Sequence, residues 1–91
     1  MDMRIEVFYS VRCGKCRLME SVTHTALEEL GMDVEVNKLL NPQDAMARGV
    51  MSQPALWIND HLKVQGRVPL VSEIKQMIEE ERLLETSGAE K

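Results

Sequence analysis

Cys13 and Cys16 are the only thiols in the chain, and they stand three residues apart in Cys13-Gly14-Lys15-Cys16. Two thiols at that spacing can close a reversible disulfide or chelate a soft metal ion. The run before them, Ile5-Glu6-Val7-Phe8-Tyr9, reads as a strand, and residues 17–30 read as a helix. The pair therefore falls where a strand hands over to a helix N-terminus. Residues three apart on a first helical turn share a face, so the sulfurs can approach bonding distance. The helix end presents unsatisfied N–H groups and a partial positive charge, which favour thiolate over thiol. Arg12 and Lys15 add cationic charge around the first cysteine. A free thiol titrates near about 8.5, and such surroundings lower that to roughly 3.5–7.5. The thiolate is the form that attacks disulfides. These features cast Cys13 as nucleophile and Cys16 as resolving thiol of a dithiol–disulfide couple, with Arg12, Gly14 and Lys15 as tuning residues.

Length and composition bound this reading. A chain of 91 residues with 44% apolar content supports one modest core. Fifteen acidic and eleven basic residues leave a net charge of −4, which argues against a nucleic-acid partner. No apolar run approaches the ~20 residues of a membrane span. The N-terminal Met1-Asp2-Met3-Arg4 lacks an apolar signal segment, so the expected location is cytoplasmic. There, paired cysteines are transient redox groups or metal ligands. A structural staple is the weaker reading, because a four-residue loop restricts the unfolded chain little.

The elements that must position the thiols follow in order. In the first helix Leu18, Val22, Ala26 and Leu30 recur every four residues with Met19 beside them, and Gly31 reads as the C-terminal cap. Residues 33–38 alternate polar and apolar, as in a half-buried strand. Asn41-Pro42 signals a helix start, and a short helix over residues 42–48 closes at Gly49. Ala55-Leu56-Trp57-Ile58 and His61-Leu62-Lys63-Val64 form a hairpin across Asn59-Asp60, a pair that tolerates positive φ. Pro69 opens a last helix that buries Val71, Ile74, Met77, Ile78 and Leu83, with Glu79, Glu80 and Glu81 on its wet side. Residues 1–84 make a single domain, and residues 85–91 a polar, disordered tail. The order βαβαββα implies an α/β fold: one mixed four-stranded sheet with helices on both faces.

Three stretches resemble the thioredoxin superfamily, and within it the small glutaredoxin-like branch of redox-active disulfide proteins. They are Cys13-Gly14-Lys15-Cys16, Ser52-Gln53-Pro54-Ala55-Leu56 and Gly66-Arg67-Val68-Pro69. The resemblance spans residues 3–83 and implies strand order 2-1-3-4. It implies a cis-proline at Pro54, with Gln53 and Pro54 binding the extended chain of a substrate. It further implies a redox carrier of the protein-disulfide reductase type. Its partners would be a disulfide-containing protein and a flavoprotein or dithiol reductase, and it needs no resident cofactor; a monomer suffices. The chain departs from thioredoxins at Arg12, where they carry tryptophan, and at Val7, where they bury an acid that serves proton transfer. Proton transfer from Cys16 would then need water, an inward-turned Glu6 or a substrate group.

Two other readings use the same thiols. Copper and mercury carriers also place Cys-x-x-Cys at a strand–helix junction, because thiolates suit soft ions. They differ in element order, and a methionine tends to stand where Val11 stands here. His24 and His61 read as surface residues, so no metal ligand set is expected beyond the thiols. Met19 and Met77 read as core filler, while Met51, close to Pro54 in sequence, could pack beside the disulfide. Trp57 reads as core or semi-exposed sheet surface, and Tyr9, at the end of its strand, as core in preference to a place beside the site. The third reading is a redox-dependent interaction domain without catalysis.

Overall fold

The computed structural model describes residues 3–89. Its elements are β1 (Ile5–Phe8), α1 (Gly14–Leu30), β2 (Val36–Leu39), α2 (Pro42–Ala47), β3 (Ala55–Ile58), β4 (His61–Gln65) and α3 (Val71–Ala89). The four strands form one sheet in the order β2-β1-β3-β4. β1 pairs parallel to β2 and antiparallel to β3, and β3 pairs antiparallel to β4. This is the mixed α/β sheet expected from the sequence, in the strand order the thioredoxin resemblance implied.

Alternation along β1 divides the molecule into two cores. Ile5 and Val7 join Val36, Leu56, Ile58 and Val64 on the face that receives Met19, Ala26 and Leu27 of α1 and Ile74 and Ile78 of α3. Phe8 points the other way and packs with Ala45, Val50, Ala55 and Trp57. Successive side chains on a strand must face opposite sides, so one four-residue strand carries both cores.

Local signals set the element ends. Gly31 is left-handed (φ 68°), and its N–H reaches the Glu28 and Leu27 carbonyls, closing α1. Asn41 caps α2 by accepting from the Gln43 N–H at 2.9 Å. Asn59 and Asp60 both have positive φ, the geometry of a tight two-residue hairpin. α3 begins at Val71 rather than at Pro69. The Glu73 carboxylate reaches back to the Leu70 N–H at 2.8 Å, so Leu70 is the residue before the first helical turn.

Other expectations are corrected. In α1 the buried residues are Cys16, Met19, Thr23, Ala26 and Leu27, whereas Leu18 is exposed. The buried stripe is thus rotated by about one residue from the Leu18-Val22-Ala26-Leu30 row. Thr23 fits the interior because its hydroxyl donates to the Met19 carbonyl at 2.7 Å. β2 is confined to Val36–Leu39, three residues inside the start of the alternating stretch. Leu83 is exposed. α3 runs on through residue 89, so the stretch assigned to a tail begins as helix; residues 90 and 91 lie outside the described residues.

The Glu79-Glu80-Glu81 run is not uniformly wet. Glu81 is almost fully buried. Its carboxylate meets the Lys63 ammonium at 2.7 Å and His61 Nδ1 at 3.0 Å. An irregularity between β3 and β4 allows this. Leu56 faces Val64, but Trp57 faces Leu62, so Lys63 is the extra residue of a β-bulge. The bulge leaves Lys63 as well as Val64 on the α3 side. Burial alone would push the Glu81 carboxyl up, but hydrogen bonds and charge from Lys63 and His61 hold it below its ordinary value.

Candidate functional site

Cys13 and Cys16 are joined by a disulfide across 5.2 Å between their α-carbons. Cys13 stands at the cap position of α1 with extended backbone (φ −98°, ψ 103°). Its sulfur accepts the Cys16 N–H at 3.1 Å. It therefore occupies the place of a capping oxygen and meets one of the orphan donors of the first turn. Gly14 opens the helix, and its position has open space around the missing side chain. Cys16 is fully buried against the sheet, whereas Cys13 is half-buried and reachable from solvent.

The turn that delivers Cys13 is short. Tyr9 still donates to the Leu39 carbonyl at 3.0 Å, and the Cys13 N–H bonds to the Ser10 carbonyl at 3.0 Å. Arg12 and Lys15 are exposed on either side of Cys13. No carboxylate falls in the first turn of α1, so nothing there offsets the positive helix end.

Strand register brings the second predicted stretch to the same edge of the sheet. Phe8 pairs with Ala55, so Pro54, one residue before β3, emerges beside the segment that follows β1. Pro54 is buried, Gln53 is exposed, and the peptide between them is cis. The third stretch joins them: the Gly66 N–H bonds to the Pro54 carbonyl at 2.7 Å. Gly66 (φ 81°) lies against Ser52, whose Cβ would stand 3.5 Å from any side-chain carbon added there. Arg67 is held by the Glu73 carboxylate at 3.0 Å. Met51 is exposed.

The proton route from Cys16 narrows. Val7, fully buried in the larger core, has no group to accept a proton. Glu6 points to the other face of the sheet. There Arg48 grips it with two hydrogen bonds of 2.9 and 3.0 Å and lies over the Trp57 ring at 4.6 Å. Asp60 also meets Arg48 at 3.0 Å, and Arg4 bonds Asp60. Hydrogen bonding to Glu6 outweighs burial and keeps the Arg48 guanidinium firmly charged. A groove of about 430 Å³ is lined by Arg4, Glu6, Arg48 and Asp60 with Leu39, Asp44 and Ala47. It sits beside the network that fastens α2, away from the cysteines.

Neither the Arg48–Glu6–Trp57 arrangement nor the burial of Glu81 follows from a local sequence pattern. Arg48 lies 42 residues from Glu6, and no local pattern links them. Among the described residues no group of three or more His, Cys, Asp or Glu is placed to hold a metal ion. Among them also, no helix is long and apolar enough to cross a membrane.

Residues 3–79 match the thioredoxin domain family. The chain is 32% identical over 76 residues to a thioredoxin of Methanothermobacter thermautotrophicus, covering 84% of this chain and 97% of that protein. It is 33% identical over 82 residues to a thioredoxin of Methanocaldococcus jannaschii, covering 84% of this chain and 96% of that one. A probable thioredoxin of Methanothermobacter marburgensis is 32% identical over 85 residues, covering 87% of this chain and all of its own length. With the sheet order β2-β1-β3-β4 and a disulfide at the cap of α1, these likenesses identify a thiol–disulfide redox protein, and the chain belongs to the thioredoxin family.

Proposed function

We propose that the protein reduces disulfides in other proteins, with Cys13 as nucleophile and Cys16 as resolving thiol. The observation that carries this is the unequal burial of the two bonded cysteines, Cys13 half-buried at a helix cap and Cys16 fully buried. In the reduced protein the Cys13 thiolate attacks one sulfur of a substrate disulfide. A mixed disulfide forms, and the other substrate sulfur leaves as a thiolate. Cys16 then loses its proton and attacks the Cys13 sulfur. The second substrate thiol departs, and the Cys13–Cys16 bond closes. Two electrons have passed to the substrate; it takes one proton from Cys16 and the other from solvent, to which Cys13 released its own on ionising. With Val7 apolar and Glu6 engaged by Arg48, the departing substrate thiolate or water takes the Cys16 proton.

The helix N-terminus and the cations Arg12 and Lys15 favour the Cys13 thiolate, and Gly14 between the cysteines is the further tuning residue. Gln53 and Pro54 bind the substrate chain, with the exposed Gln53 backbone as its contact. Resolution is intramolecular and so outruns escape of the mixed disulfide. A flavoprotein or dithiol reductase returns the protein to its reduced form, and the chain works in the cytoplasm as a monomer. The test is the reduction potential of the couple, read by thiol trapping and mass detection after equilibration in dithiothreitol buffers. We expect a reversible two-electron couple near about −270 mV, the thioredoxin value. A value near about −120 mV, in the strong-oxidant range, would reverse the direction of flow. Failure to form the intrachain disulfide would end the redox reading.

A further inference from the structure

The surface around Cys13 has a charge opposite to that of the whole protein. Four chain segments meet at this edge of the sheet, because Phe8 pairs with Leu39 and Ala55, and Ala55 with Gln65. No Asp or Glu occurs from residue 7 to 19, from 36 to 43, from 45 to 59 or from 61 to 72. The segment leading into α1 carries Arg12, Lys15 and Arg17 instead, all exposed. Arg67 is matched by Glu73 and Lys38 by Glu20. Arg12, Lys15 and Arg17 have no carboxylate partner among the described residues. Arg17 donates only to the Val11 carbonyl at 3.4 Å. The segments that meet at this edge also carry bare apolar side chains: Val11 is 76% exposed, Met51 81% and Leu70 69%.

Resting on the reductase reading above, we infer that Arg12, Lys15 and Arg17 select substrates with acidic residues beside the target disulfide. The partner is an acidic polypeptide segment, docked with its apolar residues against Val11 and Met51. The net charge of −4 would by itself draw basic partners, so a preference for acidic ones isolates this local cluster. Within about 8–10 Å charges at moderate salt still act on one another, and Arg12, Lys15 and Arg17 all stand within four residues of Cys13.

The test uses two short peptides with the same internal disulfide, one flanked by glutamates and one by lysines. The dithiothreitol-reduced protein, freed of reductant, is mixed with each, and the single-turnover rate is read by thiol trapping. The acidic peptide should react roughly tenfold faster at low ionic strength, and the ratio should approach one in about 1 M salt. Arg17→Glu should shrink the ratio, and the Arg12→Glu/Lys15→Glu/Arg17→Glu variant should invert it. Circular dichroism would establish that each variant is folded. If these cations only tuned the Cys13 thiolate, both rates would change by the same factor and the ratio would hold, which overturns the inference. Equal rates for the two peptides in the wild-type protein overturn it as well and leave the reductase reading intact. If neither peptide is reduced, both fall.

Discussion

At the start of α1 Cys13 is half-buried while Cys16 is fully buried. That difference gives each thiol a distinct outcome on substitution. Cys16→Ser should accumulate a stable mixed disulfide with a protein substrate, seen as an added mass that dithiothreitol removes. Cys13→Ser should form none, and adduct formation through Cys16 in that variant would reverse the assigned roles. The proton partner can be tested at the same scale. Glu6 is bound by Arg48 on the far face of β1. Glu6→Gln should therefore change the rate of mixed-disulfide resolution by less than about twofold, against the roughly 10²-fold loss expected of a general base. Loss of the charged hydrogen bonds should still cost about 1 kcal/mol of stability, and a stopped-flow measurement beside urea unfolding separates the two effects. The cysteines were legible because their chemistry needs only neighbours in sequence: a strand, a spacing of three and a helix start. Their unequal access was not, since it depends on β1 and α1 closing over Cys16.

Among the elements, α3 and the β3–β4 hairpin are joined through Glu81, Lys63 and His61. A carboxylate without partners at this depth would take up a proton; here Lys63 and His61 keep it ionised. Glu81→Gln leaves the largely buried Lys63 ammonium without its counter-charge and should cost about 2 kcal/mol near neutral pH. The pH dependence has a definite sign. The folded protein holds this carboxyl below its ordinary value of 4.5, so the unfolded chain binds more protons in that range. The contribution is complete above that value and fades as pH falls through the lower folded value. Urea unfolding of wild type and Glu81→Gln should thus converge as the solution is acidified below about 4.5. A gap that stays constant with pH would show that the interaction is one of shape alone. This pairing was hidden in the sequence for a physical reason. Glu79, Glu80 and Glu81 are alike as residues, and only the bulge at Lys63 selects the third. The phase of α1 was ambiguous in a similar way. Leu18 and Met19 offer adjacent apolar stripes, and packing against α3 and the sheet decides between them. The Asn59-Asp60 turn and the Asn41 cap were legible, because each is specified by the residues that form it.

For the whole molecule, the division of the sheet into two faces sets how it opens. One face carries the larger core beneath α1 and α3; the other carries Phe8, Ala45, Val50, Ala55 and Trp57 beneath the six-residue α2. A helix that short is not stable by itself. α2 is held by Ala45, by the Asn41 cap and by Arg48 at its C-terminus, which reaches Glu6 and covers Trp57. It should therefore open locally, exposing its amides while the sheet stays folded. Native-state hydrogen exchange can separate this opening from global unfolding, and two substitutions should act on it differently. Ile78→Ala removes a fully buried side chain from the larger core and should lower global stability by about 3 kcal/mol. The opening energy of α2 should not change, since the Ile78 contacts persist in the locally open state. Arg48→Ala should lower both energies by the same amount, about 1–2 kcal/mol, because its contacts are lost in either opening. Should the α2 amides exchange only at the global free energy, or should Ile78→Ala lower their opening energy equally, the two faces form one cooperative unit. If the openings separate as argued, the face of the sheet beneath α2 can loosen while the face that encloses Cys16 stays closed.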